Sequence, residues 1–230
     1  LTKELDRRWK SDSPIDGHLF VATDRLEGLK TASKHVTLIH REVSEQTDLT
    51  WSTAFAALNA LYATSPSRPY STLKVPGLSS KSVSSLTKRN NLLKAKVSTY
   101  KTNISGEVFI DRLVTTAEEP EYFSLEVKQT LSAVRYDLRK YFETRFKRYM
   151  LVKENHPYPG PVLSPKSIKA LLVARYRLYQ SQNLLQDDGE VTKRIRVEVS
   201  KINSSKVDIF FPVVVMGQLL ITQTQIAFRT

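Results

Sequence analysis

From Tyr122 to Arg148, apolar residues recur at helical spacing: Phe123, Val127, Leu131, Val134, Leu138, Tyr141 and Phe142 make one continuous stripe. A helix this long, apolar along one side, needs other elements to cover it. Neighbouring segments follow a different period. In Glu107–Thr115, Val108, Ile110, Arg112 and Val114 share one face, while Phe109, Asp111 and Leu113 take the other. In Arg194–Val199, Ile195, Val197 and Val199 point in and Arg194, Arg196 and Glu198 point out. The two periods together specify a mixed α/β (α+β) class, with a mixed sheet flanked by helices.

The rest of the chain fits that class. Leu1–Lys10 reads as a short charged helix with Leu5 and Trp9 four apart. His18–Thr23 and Val36–Ile39 read as buried strands on either side of a helix over Asp24–Lys34, a pattern that favours a parallel pair covered by that helix. Thr47–Ala63 is an Ala-rich helix capped by Thr47 or Asp48, and Leu73–Leu78 is extended. Leu86–Lys96 is a small basic helix. Val97–Tyr100 and Glu107–Thr115 form a hairpin about Asn103–Gly106. Ser164-Pro165 opens a helix that runs to about Leu184, and Val207–Val215 and Leu219–Phe228 read as closing strands. All strands from Val191 onward are expected in one sheet, near the Glu107–Thr115 strand.

Of the 230 residues none is Cys, so disulfides, thiolate zinc sites and thiol nucleophiles are excluded. Only seven Gly occur, and no phosphate-binding loop, nucleophile elbow or dinucleotide fingerprint is present. The histidines His18, His35, His40 and His156 lack metal-ligand spacing, and surface or capping roles are expected of them. No cofactor, metal or catalytic residue is therefore expected. The first segment is not a signal peptide, and the longest apolar run, Ile209–Met216, is too short to span a membrane. The net charge of +12 asks for an acidic partner: nucleic acid, anionic lipid or an acidic protein. Aromatics interleave the basic stretch Arg135–Tyr149 as they do on single-stranded nucleic-acid surfaces, so a basic nucleic-acid-binding module is the alternative reading. Most of those rings fall on the apolar stripe, which favours packing.

The order of motifs resembles the C-terminal half of tail sheath proteins of Mu-like phages, a contractile tail sheath family. Ser67-Arg68-Pro69 and then Pro76-Gly77-Leu78 follow the Ala-rich helix as in that family. Arg89-Asn90-Asn91-Leu92-Leu93 comes next. Then Gly106, Val108, Ile110, Arg112, Thr115 and Thr116 match a strand written G-x-V-x-I-x-R followed by two threonines. Tyr122, Leu125-Glu126-Val127, Thr130-Leu131 and Val134-Arg135 continue the series. The Ser164-Pro165 helix, the strands at Arg196–Glu198 and Asp208–Pro212, Gln218-Leu219 and Ala227-Phe228-Arg229 complete it. Departures occur at Lys201-Ile202-Asn203 and Met216-Gly217.

The resemblance implies a structural, non-enzymatic subunit. It divides the chain into residues 1–85, part of a sheath core, and 86–230, a C-terminal sheath domain with an inter-subunit arm at about 217–230. Sheath proteins of this family are longer, so an N-terminal half is expected to be absent. The implied partners are further copies, a tail tube protein, and baseplate and tail terminator proteins, with no membrane anchor and no direct nucleic acid. The implied location is the virion tail, assembled in the bacterial host cytoplasm. Leu219, Leu220, Ile221, Thr222, Thr224, Ile226 and Phe228 are the expected inter-subunit strand. Arg139, Lys140, Lys147, Arg148, Lys166 and Lys169 are the candidates to face the tube.

Overall fold

A computed structural model describes residues 1–10, 15–26, 31–82, 84–153, 159–187 and 189–220. Two compact units emerge: 1–132 with 217–230, and 133–216.

In the first unit, α1 (Thr2–Lys10) precedes β1 (Leu19–Thr23) and β2 (Val36–His40). The two strands pair in parallel from Leu19 opposite Val36 to Thr23 opposite His40, as the sequence pattern suggests. The expected helix between them is not found at Asp24–Leu26 or Thr31–Lys34, which are irregular; residues 27–30 lie outside the described residues. The pair is covered instead by α2 (Asp48–Leu61), where the Ala22 N–H donates to Ser52 Oγ at 2.8 Å. Alanines on α2 allow that close approach, and Thr47 caps it by accepting from the Thr50 N–H.

Next come β3 (Lys74–Ser79), α3 (Leu86–Lys94), β4 (Thr99–Thr102) and β5 (Glu107–Arg112). They build a three-stranded antiparallel sheet in the order β3-β5-β4. β3 is an edge, which is why it tolerates Pro76. The β4–β5 turn uses Gly106 at φ +78°, where a Cβ would also stand 3.2 Å from the Ser80 carbonyl oxygen. Trp51, Phe55, Val75, Val108, Ile110 and Leu125 share one core.

After a 3-10 turn at Pro120–Tyr122 comes α4 (Leu125–Arg145), shorter at both ends than the apolar stripe predicts. Pro120 and the Ser124 bridge to Val114 delay its start, and the chain turns at Phe146 before reaching Arg148. The two units part within α4, at Ser132 and Ala133, whereas sequence landmarks divide the chain near residue 85.

The second unit adds β6 (Met150–Leu151), β7 (Val162–Leu163), α5 (Pro165–Ser181), α6 (Val191–Arg194), β8 (Arg196–Val199) and β9 (Val207–Phe210). α5 opens on a reciprocal cap: the Ser167 N–H donates to Ser164 Oγ at 3.2 Å, and the Ser164 N–H donates to Ser167 Oγ at 2.8 Å. On α4, Asp137 accepts both a forked pair of bonds from Arg175 and the Tyr179 hydroxyl, tying α4 to α5. Burial and that accepting carboxylate push the Tyr179 hydroxyl's pKa above its ordinary value. The two ends of the helix pair bury separate cores, one around Tyr176, Tyr179 and Leu185, the other around Ile168, Leu172 and Ile195.

One expectation fails here. β8 and β9 form their own two-stranded sheet, and β5 belongs to the other unit, so among the described residues the strands after Val191 do not join the β5 sheet. Nor does β9 reach Val215. Pro212 has no N–H to give a ladder, and beyond Phe210 the chain packs Phe211, Val213 and Val214 on the Tyr176 core.

Candidate assembly interface

The β8–β9 ribbon is antiparallel, with Arg196 opposite Phe210, Val197 opposite Ile209, Glu198 opposite Asp208 and Val199 opposite Val207. Paired residues share a face, so Val197 and Val207 pack inward against Ile168 and Leu172 of α5. Arg196, Glu198, Asp208 and Phe210 project outward. Among the described residues neither outer edge of the ribbon is paired with a further strand. Unpaired edges carry rows of free backbone donors and acceptors, a template for strand addition.

Below the inner face lies an apolar groove of about 220 Å³ lined by Phe142, Phe146, Tyr149, Met150 and Ile209, among others. Tyr141, Phe142, Phe146 and Tyr149 meet edge-on or tilted, each ring against the next. Phe142 and Phe146 are half-buried, which agrees with packing as the role of these rings. Tyr136 departs from the stripe: it is 58 % exposed, with Lys140 Nζ 5.8 Å from its ring centroid.

The expected inter-subunit strand is only partly described. Leu219 and Leu220 are irregular rather than extended, and Leu219 is 81 % exposed. Just before them, the Ser124 hydroxyl donates to Gln218 Oε1 at 3.3 Å. Ile221, Thr222, Thr224, Ile226 and Phe228 lie outside the described residues.

The tube-facing candidates separate into two kinds. Arg139 is tied to Glu143 at 2.6 Å, and Lys169 Nζ reaches the Lys193 carbonyl at 3.4 Å. Lys140, Lys147, Arg148 and Lys166 are exposed.

Two histidines contradict the surface reading. His35 has no exposed surface, and His18 is half-buried with Nε2 2.8 Å from Thr37 Oγ1. Both feel the charge of Lys128, itself 1 % exposed, whose Nζ donates to the Gly17 carbonyl at 3.0 Å. Burial, then the Lys128 charge, holds both imidazoles below the ordinary histidine pKa. Nothing in local sequence marks these positions, because the lysine comes from α4, over ninety residues further on. His156 lies outside the described residues. Among the described residues no group of three or more His, Asp or Glu side chains is placed to hold a metal ion, and no helix is long and apolar enough to cross a membrane.

The fold is shared with chains of solved sheath and baseplate structures. Similar folds occur in a chain of the anti-feeding prophage baseplate (TM-score 0.67, 12% identity, covering 100% of this chain and 63% of that one). The anti-feeding prophage helical sheath in its contracted state matches at TM-score 0.63 and 14% identity, over 99% of this chain and 63% of that one. The sheath tail protein of Desulfitobacterium hafniense matches at 0.60 and 9% identity, over 91% and 51%.

In sequence, the chain is similar to the Mu-like prophage FluMu tail sheath protein of Haemophilus influenzae, 27% identical over 228 residues. That alignment covers 91% of this chain and 47% of the relative, so the chain spans about half the length of the curated relative it matches. No family model matches the chain. The resemblance to Mu-like tail sheath proteins, read first from motif order, thus has a direct sequence relative behind it.

Proposed function

We propose that this chain serves as a structural subunit of a contractile tail sheath, which polymerises around an inner tail tube and contracts to drive the tube through an envelope and deliver a genome. The observation that carries the reading is the alignment of nearly the whole chain with a tail sheath protein. The open ribbon of β8 and β9 supports it, because its edges suit strand exchange between copies. Main-chain hydrogen bonds of that kind survive rotation of the bodies they join. Residues 217–230 are the proposed arm. A head-to-tail contact that does not close generates a helix. Contraction is then a rigid-body rearrangement from a high-energy assembled state to a more compact one, with no nucleotide and no catalytic step.

The proposed partners are further copies, the tube protein, and the baseplate and terminator proteins at the two ends. The proposed place is the virion tail, after assembly in the host cytoplasm. Negative-stain microscopy of the full-length protein tests the reading. Tubes or stacked rings are expected, and a protein that stays monomeric with its tube present would refute it.

A further inference from the structure

We propose that α1 (Thr2–Lys10) is a strap that lifts off the first unit on acidification, with His35, the residue it covers, as the group whose protonation releases it. The device operates within a single chain and does not rest on the sheath reading.

α1 is held lightly. It has nine residues, none of them fully buried, and a helix that short is marginal in water without packing. Its ion pairs, Glu4 with Arg7 and with Arg8, lie within the helix and do not attach it. Among the described residues no backbone hydrogen bond joins it to another element. It is attached through Leu5, Asp6 and Trp9. Leu5 Cδ2 lies against Gly17, where a Cβ would stand 2.6 Å from it. The Trp9 ring meets that of His35 at 5.3 Å and that of Tyr122 at 6.1 Å, with Lys34 Nζ 4.5 Å from its centroid.

Beneath α1 the His35 side chain has no exposed surface, and neither ring nitrogen has a hydrogen-bond partner of ordinary geometry among the described residues. Burying an unbonded polar group is unfavourable, so the cover is costly even over a neutral ring. Two groups favour a proton on that ring: Asp6 of α1, with Oδ1 3.5 Å from Nε2, and the Gly17 carbonyl. Asp6 is half-exposed, so water weakens its pull. Three groups oppose the proton: Lys128 of α4, Lys34 beside it in the chain, and His18 ahead of β1. Burial and the lysines prevail, and the covered imidazole is held below its ordinary pKa. With α1 lifted, the ring meets water and the lysine charges are screened, so the open form binds a proton more readily. Acid therefore favours the open form. Lifting also bares the faces of Trp9 and Tyr122 that otherwise meet each other.

Hydrogen exchange of the full-length protein, read by mass spectrometry and corrected for the intrinsic pH dependence of exchange, provides the test. Opening of α1 should rise by up to about tenfold per pH unit below the ordinary histidine value of 6.5, while β2 and α2 keep their protection. His35→Gln, which keeps a polar side chain that cannot titrate there, should abolish the rise. Asp6→Asn removes the carboxylate that favours the covered imidazolium, so the rise should continue to lower pH than in the wild type. Protection of α1 that does not change with pH overturns the proposal. So does a rise that persists in His35→Gln, or loss of β2 and α2 protection together with α1, which would mean that acid unfolds the whole unit. If His35→Gln does not fold, Asp6→Asn decides: a rise flattened in that variant would make Asp6 the titrating group and overturn the assignment to His35.

Discussion

At the scale of single residues, the most consequential group is the one around His35. Trp9 of α1 meets the His35 ring edge-on at 5.3 Å, and Lys34 Nζ sits 4.5 Å from the centroids of both Trp9 and Tyr122. Asp6 Oδ1 lies 3.5 Å from His35 Nε2 and is the acid that favours protonation, against burial and Lys128. Both His35 and His18 are held below the ordinary value of 6.5. Between 6.5 and those lowered values the unfolded chain binds protons that the folded chain refuses. The stability they contribute is thus fully present above pH 6.5 and is lost as pH falls through the folded values. Each histidine that stays neutral adds a slope of about 1.4 kcal/mol per pH unit in that window. Urea unfolding at a series of pH values from 7.5 to 5 should show this loss, and the His18→Gln, His35→Gln variant should flatten it. An unchanged slope in that variant would mean that other groups carry the acid sensitivity.

At the scale of elements, local rules explain most of what formed. α5 begins where Ser164-Pro165 says it should, with the cap satisfied in both directions. Removing the cap by Ser164→Ala should lower stability by about 1 kcal/mol, read from the urea midpoint. A variant as stable as the parent would show that the first turn is held by packing alone. The parallel pairing of β1 and β2 was legible in their apolar runs, as was the β4–β5 hairpin in its alternation and its Gly106 turn. The helix expected over Asp24–Lys34 was not a sound reading at its described ends. Leu26 and Leu29 alone are a weak period, and α2 covers the strands instead, presenting Trp51 and Phe55 to the core. β9 ended early because Pro212 removes a donor, a signal present in the sequence but outweighed there by the run of valines.

At the scale of the whole molecule, the predictions concern assembly. Deleting Ile221–Thr230 should leave a folded, soluble chain that no longer polymerises if that segment serves a neighbour. Unfolding or aggregation would place it in its own core, and normal sheaths from the deleted protein would refute both readings. Circular dichroism and electron microscopy together distinguish the three results. We propose that the tube surface facing Lys140, Lys147 and Lys166 is acidic; charge reversal at these lysines should then weaken sheath–tube co-assembly, because exposed ion pairs worth roughly 0–1 kcal/mol each act in parallel and are screened by salt. Sheath–tube co-assembly at unchanged salt tolerance would rule out this surface. The sequence by itself determined the class, most elements, the caps and the order of sheath landmarks, because periodicity, capping and turn chemistry act within a few residues. Only the tertiary structure decided that the strands fall into separate small sheets, that Glu198 opposes Asp208, and that Lys128 reaches the Gly17 carbonyl and sets its charge against His18 and His35. Each of those depends on register or on contact between residues far apart in the chain, and a local pattern holds no information about which distant partner arrives.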